Sequence, residues 1–498
     1  MWSRLIQFDA NTGQSLQSQL RQGLVKAILD GRVPPEEALP SSRELARELG
    51  VARNTVVLAY QHLVDENYLL SRERRGYFVN REMLGGCVEL AGRSTGSRPS
   101  TGEESAALDA NEKGPATVLD LLSQRNITRP LDWQRYEYPF IYGQVDPALF
   151  PVNDWREASR LSLRVDAIER WSRDRVDHDD ELLIEQIHTR VLPRRGVWVE
   201  RDEILITTGA QNALYLVAQL LLDRNSKVGM EDPCYADARN IFAIFAGEQV
   251  NFPVGDKGVI TDDRLEDCRL MYVTPSHQCP TTTTMPLAAR RELLERAARS
   301  DVTIVEDDYE SELNFVDKPT PALKSLDAEN RVIYVGSLSK TLAPGLRVGF
   351  LVAPRGFIRQ ARALRRLMYR HPPTNNQRTI AHFLALGHHD SALLRLMQTF
   401  KRRWQIMDQA LKAHAPLSAL TPTFGGSSFW VRLPEEIKAR ELERCAAENG
   451  IIINAGDDYF ADPRGPTHYC RLGFSSIDQE RIAPGIERLA SLIDKSGS

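Results

Sequence analysis

The stretch YVGSLSKTLAPGLRVGF, residues 334–350, carries a lysine that comes after two serines and seven residues before an arginine. Apolar runs at both of its ends predict two strands with a polar connection between them. The connection contains Ser337, Ser339, Lys340 and Arg347. An SxSK pattern on its own is more often part of a solvated loop than of a site. Its role therefore depends on what the neighbouring strands carry at their ends.

Short apolar runs alternate with helical stretches from about residue 135 to the end of the chain. Strands that are separated by helices predict an α/β domain with a mostly parallel sheet. A smaller α+β part is expected after residue 400. The predicted strands are EILIT 203–207, KVGME 227–231, RLMYVT 269–274, VTIVE 302–306, RVIYVG 331–336 and VGFLV 348–352.

Three further segments place polar or aromatic residues at the ends of predicted strands. TTGAQNAL, residues 207–214, is a strand-to-helix turn, so the backbone N–H groups of Ala210 and Gln211 would face an anion. Tyr235 follows the next strand in EDPCY. Ligands of such sheets collect beyond the carboxyl ends of the strands, so these residues are expected at the same edge as Lys340.

The third segment, VEDDYESEL, follows a strand and contains Asp307, Asp308 and Tyr309. Together with Lys340, these segments supply the groups that pyridoxal phosphate needs: an amine, a carboxylate, a phenol, an aromatic ring and a phosphate cup. Lysine suits the amine role because desolvation and nearby positive charge lower its pKa. The sequence therefore predicts a pyridoxal phosphate site.

The composition excludes several classes of protein. The chain has 498 residues, which is long enough for two or more domains. Its longest apolar run, ALYLVAQLLL at 213–222, is about half the length of a membrane helix. No secretory signal opens the sequence, and the six cysteines form no CxxC pair that would indicate disulfides or zinc. We expect a cytoplasmic, nucleoid-associated protein without a metal.

Residues 12–80 follow the pattern of a winged helix. An amphipathic helix repeats apolar residues at Leu16, Leu20, Leu24 and Ile28. PSSRELARELG then combines a capping box with a terminal glycine, RNTVVLAYQHLVDEN predicts the next helix, and YLLSRERRGYFV predicts two strands around a basic turn. Residues 81–125 contain few large apolar residues and are predicted to be a flexible linker.

The winged helix predicts a local DNA-binding face. Residues 1–80 carry ten Lys/Arg and nine Asp/Glu, a net charge of +1, so a basic field cannot hold DNA by itself. The N-terminus of the second helix of such a motif reads base edges, while the preceding helix contacts phosphates. The alternative function of such a domain is the docking of another protein, since some winged helices bind proteins rather than DNA. The candidate residues are Arg53, Asn54 and Thr55 for bases, Ser42 and Arg43 for phosphates, and Arg72, Arg74 and Arg75 in the wing.

Nearly the whole chain outside the linker resembles one family. Residues 12–80 resemble a GntR-type winged helix, and residues 135–498 resemble a fold-type-I aminotransferase. Their fusion is similar to the MocR family of bacterial transcription regulators. The motifs that carry the resemblance are LPSSRELARELGVARNTVVLAYQHLVDENYL, SLSKTLAPGLRVGF, SHQCPTTTTMP and CRLGFS. The implied domains are a DNA-binding domain at 1–80, a linker at 81–125 and an aminotransferase-like domain with a smaller C-terminal subdomain at 126–498.

The resemblance also implies a role for each site residue. Lys340 would form the internal aldimine, Asp307 would pair with the pyridine nitrogen, and Tyr309 would bind the ring oxygen. Tyr235 would stack on the ring, and Arg471 in CRLGFS would hold the α-carboxylate of an amino acid. The implied phosphate cup consists of Ala210, Gln211, Ser337, Ser339 and Arg347.

Two departures from the family matter for the site. Relatives commonly carry glycine after a serine or threonine where this chain has Thr281 and Thr282, in a loop that abuts the cofactor in those relatives. Asp237 stands where a GABA-responsive relative has a second carboxylate-binding arginine. Like charges repel, so Asp237 disfavours GABA as the effector and favours an effector with a cationic or polar tail.

The resemblance implies a transcription regulator rather than an enzyme. An amino acid or amine effector would form an external aldimine with the cofactor and alter DNA binding, and a homodimer would bind an operator with two half-sites. Two alternatives use the same residues. In the first alternative, the chain is a working aminotransferase with a DNA-binding appendage. In the second, it is a regulator that senses pyridoxal phosphate itself.

Overall fold

The computed structural model describes residues 5–6, 8–9, 13–81, 121, 124–315, 320–414, 417–419 and 425–496. The chain folds as two compact units, Met1–Ala116 and Thr117–Ser498. Most of the predicted linker, residues 81–125, lies outside the described residues, and its bounds stay a prediction. No helix of the described ranges is long and apolar enough to span a bilayer.

The first unit is a winged helix, as predicted. Its elements are α1 (Leu16–Leu29), α2 (Ser42–Leu49), α3 (Arg53–Asp65), β1 (Leu69–Arg72) and β2 (Gly76–Val79). The two strands pair antiparallel and form the wing.

Capping and core packing explain these elements. The Ser41 hydroxyl accepts a hydrogen bond from the Glu44 N–H at 3.3 Å, and the Glu44 carboxylate accepts from the Ser41 N–H at 2.9 Å, which completes the predicted capping box. Leu20, Leu24 and Ile28 are buried on one face of α1. Leu16 is the exception at 49 % exposed, because it opens the helix beyond the core.

The second unit contains twelve described α-helices and fourteen described strands. The helices are α4 (Val152–Ser162), α5 (Val165–Trp171), α6 (Glu181–Gln186), α7 (Ala210–Leu221), α8 (Ala236–Phe245), α9 (Leu287–Arg299), α10 (Leu323–Leu326), α11 (Arg355–Tyr369), α12 (Thr374–Ala385), α13 (His388–Ala413), α14 (Ala439–Glu448) and α15 (Gln479–Ser496). The strands are β3 (Tyr138–Pro139), β4 (Ile204–Thr207), β5 (Lys227–Asp232), β6 (Glu248–Gly255), β7 (Gly258–Val259), β8 (Leu270–Val273), β9 (Thr303–Asp307), β10 (Val332–Ser337), β11 (Gly349–Val352), β12 (Ser418–Ala419), β13 (Ser428–Arg432), β14 (Ile451–Ile452), β15 (Asn454–Ala455) and β16 (Tyr469–Gly473).

A mixed eight-stranded sheet positions the site. Its order is β4-β11-β10-β9-β8-β5-β6-β7, and all six predicted strands lie in it. The central strands from β10 to β6 run parallel, whereas β11 is antiparallel to both of its neighbours. The carboxyl ends of β4, β5, β9 and β10 therefore meet at one edge.

The predicted α+β part after residue 400 is confirmed. A four-stranded antiparallel sheet has the order β12-β13-β16-β15, and β14 pairs with β3. Helices α13, α14 and α15 supply apolar residues to the same core as this sheet, including Phe400, Leu442 and Ile486. Arg471 belongs to β16, at the centre of this second sheet.

Candidate functional site

The carboxyl edge of the large sheet encloses a cavity of about 310 Å³. All nine residues that the sequence analysis assigned to the cofactor line this cavity: Ala210, Gln211, Tyr235, Asp307, Tyr309, Ser337, Ser339, Lys340 and Arg347. The wall also contains Asp237, which the sequence analysis placed near the effector, and six residues that it did not assign: Arg129, Tyr142, Gly143, Tyr272, Cys279 and Pro344.

Lys340 is half-buried and presents its amine to the cavity. Its Nζ lies 4.5 Å from the ring centroid of Tyr142. Burial lowers the pKa of Lys340 to about 8, against an opposing effect of the Glu310 carboxylate, and Arg129 and Arg471 lower it further. Near neutral pH this amine loses its proton far more readily than a surface lysine does.

Gly143 lets the backbone approach this amine closely. Its φ is 77°, and a Cβ at this position would lie 3.2 Å from the Lys340 Nζ. A side chain here would therefore be strained and would crowd the amine.

Asp307 ends β9 with one carboxylate oxygen bound and the other available. The Tyr272 hydroxyl donates to Oδ2 at 3.0 Å. Oδ1 is buried and lacks a hydrogen-bond partner among the described residues. Burial raises the pKa of Asp307 to about 7, partly offset by the bond from Tyr272. A buried carboxylate with a free oxygen is suited to a cationic N–H of a ligand.

Two more polar atoms of the wall have the same property. The Tyr309 hydroxyl and the Ser339 Oγ are both buried without a hydrogen-bond partner in the part of the chain that the structure describes. Because unpaired buried polar groups cost free energy, these atoms indicate a ligand with matching donors and acceptors. A pyridine ring with a hydroxyl and a phosphate meets that requirement, so the residues present fit pyridoxal phosphate.

The other end of the cavity is suited to an anion. Helix α7 begins at Ala210, so its first N–H groups lack helical partners and carry the positive end of the helix dipole. Gly209 has φ 91°, and a Cβ there would lie 3.0 Å from Nη2 of Arg347. The same Nη2 donates to the Thr208 carbonyl at 3.1 Å. The Arg347 guanidinium and the N-terminus of α7 thus flank the same part of the cavity, and a side chain at Gly209 would crowd the guanidinium there.

Asp308 lies between two cavity residues but points away from the cavity. Its Oδ2 accepts from Arg195 Nε at 2.8 Å and from the Tyr334 hydroxyl at 2.8 Å. Burial would raise the pKa of Asp308, but Arg195, Ser276 and Tyr334 outweigh it and hold the pKa below the ordinary value. This buried ion pair fixes the chain at the end of β9, where it positions Asp307 and Tyr309.

Arg471 does not line the cavity in this structure. Its guanidinium carbon lies 3.3 Å from the ring centroid of Tyr142, and its Nη1 donates to the Cys279 Sγ at 3.5 Å. Tyr142 and Cys279 belong to the cavity wall, so Arg471 lies one side chain behind it. Nη2 of Arg471 is buried and has no partner within the described ranges.

Asp237 is held by its neighbours in the wall. Its Oδ2 accepts from the Tyr235 hydroxyl at 2.7 Å and from Gln211 Nε2 at 2.6 Å. Burial raises the pKa of Tyr235 well above its ordinary value, and Asp237 adds to this, so the tyrosine stays a donor. Asp237 therefore fixes the ring that the resemblance assigns to stacking.

The loop that departs from the family keeps an unusual backbone. Thr282 has φ 63°, in the left-handed region that favours glycine and is strained for a β-branched residue. Its N–H donates to the Gln278 carbonyl at 2.7 Å and its hydroxyl to the Thr281 carbonyl at 2.6 Å. The turn that glycine would make is thus retained by threonine, and Cys279 of this loop reaches the cavity.

The predicted DNA-binding residues lie on two surfaces of the first unit. Arg53 and Asn54 are exposed at the first turn of α3, with Thr55 half-buried, and Arg53 Nε donates to the Ser42 Oγ at 3.4 Å. Arg43 is exposed on α2.

The wing residues Arg72, Arg74 and Arg75 are also exposed. The Arg72 guanidinium lies 4.7 Å from the Phe78 ring centroid, and Arg74 adopts φ 59° in the turn. The wing therefore presents three cations around one tight turn.

Four of the wall residues that sequence reasoning missed, Arg129, Tyr142, Gly143 and Tyr272, come from parts of the chain without a strand-end pattern. Arg129 lies in an irregular segment before the first helix of the second unit, and Tyr142 and Gly143 follow β3. Tyr272 lies inside β8 and reaches Asp307 only because β8 and β9 are neighbours. The one available signal was the aromatic–glycine pair at 142–143, which is typical of a close backbone approach.

Comparison with known proteins agrees with both units. Residues 16–79 match the family described as bacterial regulatory proteins, gntR family, and residues 176–489 match aminotransferase class I and II. The HTH-type transcriptional regulator TauR of Rhodobacter capsulatus is 41 % identical over 97 % of this chain and 98 % of its own. The probable rhizopine catabolism regulatory protein MocR of Rhizobium meliloti is 28 % identical over 98 % of this chain and 95 % of its own.

Solved structures resemble the second unit. The α-aminoadipate aminotransferase LysN of Thermus thermophilus, complexed with N-(5'-phosphopyridoxyl)-L-leucine, is 31 % identical and covers 72 % of this chain and 92 % of its own, with a TM-score of 0.66. The kynurenine aminotransferase of Pyrococcus horikoshii, in complex with PMP, is 26 % identical and covers 74 % of this chain and 95 % of its own, with a TM-score of 0.68. The chain therefore belongs to the MocR family of pyridoxal-phosphate-dependent transcription regulators, in which a GntR-type DNA-binding domain is joined to an aminotransferase-like domain.

Proposed function

We propose that this regulator senses a small amino acid or amine, which takes the place of Lys340 at the cofactor and thereby alters DNA binding. The observation that carries the proposal is the Lys340 amine in the cavity wall, with a pKa of about 8, beside the Asp307 and Tyr309 atoms that lack partners among the described residues. An amine that is easily deprotonated is easily exchanged for another amine.

Each wall residue has a proposed task. Asp307 would bind the ring nitrogen, Tyr309 would donate to the ring oxygen, and Tyr235 would pack against the ring face, since all three line the cavity. Pyridoxal phosphate supplies an aldehyde that condenses reversibly with primary amines. The groups that would bind the phosphate are the N–H groups of Ala210 and Gln211, the hydroxyls of Ser337 and Ser339, and the Arg347 guanidinium.

The proposed active form is a homodimer on two DNA half-sites. One winged helix reads only a few base pairs, so two copies are needed to specify an operator. Because its target is DNA, we propose that it acts in the cytoplasm at the nucleoid. An effector changes DNA affinity only to the extent that it binds the two conformations of the dimer differently.

A working aminotransferase is the second candidate, because the same residues would support catalysis and Arg471 matches the arginine that binds an α-carboxylate. For Arg471 to do so, Tyr142 must move, since its ring covers the guanidinium at 3.3 Å. Detection of pyridoxal phosphate itself is a variant of the sensor. This variant predicts that the apoprotein and the holoprotein differ in DNA affinity even when no amine effector is added.

One experiment separates these functions. The purified holoprotein is incubated with a panel of amino acids and amines and with a 2-oxo acid, while the visible spectrum, keto-acid product and DNA affinity are recorded. A spectral change with a shift in DNA affinity and no sustained product is expected of the sensor. Continuous turnover at many cycles per second would instead identify an enzyme.

The pKa of Lys340 gives a pH prediction. A lysine attacks an aldehyde only as the neutral amine, so the rate at which added pyridoxal phosphate restores the visible band to the apoprotein should rise through about pH 8 and level off above it. Stopped-flow absorbance measures this rate. Glu310→Gln should move the midpoint to lower pH, because the carboxylate raises the pKa of Lys340. A rate that still rises at about pH 10, where ordinary lysines titrate, would contradict the assignment.

A further inference from the structure

We propose that residues 125–129, here called the strap, pass the state of the cofactor cavity to the linker and so to the DNA-binding domain. The proposal rests on the proposed function, because it concerns the step between amine binding and the change in DNA affinity. Arg125 is the last residue of the predicted linker. Arg129, four residues later, is the first residue along the chain that lines the cavity described above.

Arg125 anchors the linker end of the strap. Its Nη1 donates to the Asp457 carbonyl at 3.1 Å, and its Nη2 donates to the carbonyls of Phe460 and Ala461 at 2.7 and 3.0 Å. The backbone carbonyl of Arg125 accepts a hydrogen bond from Asn240 Nδ2 at 3.1 Å. Because hydrogen bonds from a charged group are stronger than neutral ones, this half-buried guanidinium fixes the point at which the linker ends.

The turn at residues 457–461, which holds this anchor, contacts both sheets of the second unit. The Cys234 N–H donates to the Tyr459 carbonyl at 2.9 Å, and Cys234 precedes Tyr235 of the cavity wall, just after β5 of the large sheet. The Tyr459 ring lies 5.8 Å from the guanidinium carbon of Arg471, in β16 of the second sheet. A shift of one sheet against the other would therefore move the anchor.

The middle and the far end of the strap border the cavity. Ile127 packs against a buried cluster that contains Cys279, a residue of the cavity wall. A Cβ at Gly143 would lie 3.3 Å from Arg129 Nη2 and 3.2 Å from Lys340 Nζ, so the far end of the strap lies beside the Lys340 amine. A molecule that takes the place of Lys340 therefore meets the strap directly.

Anchoring of the strap sets the length of chain that tethers the DNA-binding domain. With Arg125 bound, the tether ends at residue 125, whereas release of the strap extends it to residue 129. Four added residues lengthen an extended chain by about 13 Å. The effective concentration of a tethered domain at a second half-site depends on tether length, so release changes how strongly two linked domains bind one operator.

The test uses the full-length holoprotein and the Arg125→Ala variant. Both are titrated with β-alanine, propylamine, glutamate and glutamine, and the amine with the largest spectral change in the wild type is used with a duplex that the wild type selects from a random-sequence pool. Saturation with this amine should change the wild-type DNA affinity about 5-fold or more. In Arg125→Ala the change should be less than about 2-fold, while the spectral Kd stays within about 3-fold of the wild type, because Arg125 does not line the cavity.

Two further variants and a shorter duplex complete the test. Arg135→Ala is the matched control, because it removes an exposed arginine from the same irregular segment, and it should keep the full response. Arg125→Lys should keep part of the response, since it retains the charge and some donors. Half of the selected duplex, which a single domain occupies, should bind equally to all these proteins because one domain needs no tether.

A full amine response in Arg125→Ala, or an equal loss in Arg135→Ala, would overturn the role of the strap while leaving the proposed function standing. Loss of the spectral response in Arg125→Ala would also overturn it, because the strap would then only build the cavity wall. Weaker binding of the half duplex would do the same, since the substitution would then act on the DNA-binding domain itself. If no amine alters the spectrum and the DNA affinity of the wild type, the proposed function fails and this inference with it.

Discussion

Lys340→Ala should abolish the visible absorbance band that the wild-type holoprotein shows, and amines should no longer change its DNA affinity. The side chain supplies an amine of the cavity wall, with its Nζ 4.5 Å from the Tyr142 ring centroid. Alanine removes the only group of the described wall that combines a primary amine with a pKa of about 8. The loss should be complete rather than partial, because no neighbouring lysine lines the cavity described for this chain.

The measurement combines visible absorbance with fluorescence anisotropy of labelled operator DNA. Lys257→Ala is the matched control, because this lysine is exposed in the turn between β6 and β7. It should keep both the band and the amine response. A Lys340→Ala protein with a normal band and a normal response would refute the assignment of Lys340. Unchanged far-UV circular dichroism of Lys340→Ala would show that a lost band and a lost response do not come from unfolding.

The strand ends that carry the cofactor residues were predictable from sequence. The apolar runs that become β9 and β10 are short and continuous because both faces of those strands are buried. Polar residues at the end of such a run must leave the core, so Asp307 and Ser337 were expected at one edge. Strand β6, which lies between β5 and the short edge strand β7, was missed because its burial is broken by half-exposed and exposed positions, including Pro253.

The part of the cavity wall next to the Lys340 amine could not be predicted in the same way. Arg129 and Tyr142 lie in irregular chain, and no periodic pattern indicates which cavity such a segment borders. The position of Arg471 also depended on tertiary structure. Sequence resemblance assigned it to the effector, but the Tyr142 ring that covers it comes from more than three hundred residues earlier in the chain. Contacts between distant segments are fixed by packing, which local sequence does not encode.

Arg53→Ala should produce the largest loss on the DNA side. Arg53 is exposed at the start of α3, and its Nε donates to the Ser42 Oγ at 3.4 Å, which orients the guanidinium beside the residue predicted to contact phosphate. A bidentate arginine–guanine contact contributes about 1–3 kcal/mol of discrimination. A dimer loses this contact at both half-sites, so affinity for the specific site should fall roughly 30-fold or more.

The assay compares a duplex that the wild-type protein selects from a random-sequence pool with a scrambled duplex of the same length and salt concentration. Arg53→Ala should lose affinity for the selected duplex while binding of the scrambled duplex changes little, since base contacts specify and phosphate contacts only position. Arg21→Ala is the control. Arg21 pairs with Glu66, which lies just beyond the C-terminal end of α3. At about 1.5 Å per helical residue, Glu66 is about 20 Å from Arg53. The visible spectrum should be unchanged in both variants. Loss of the cofactor band in Arg53→Ala would contradict a division of labour between the two units, and equal loss on both duplexes would assign Arg53 to the phosphate backbone.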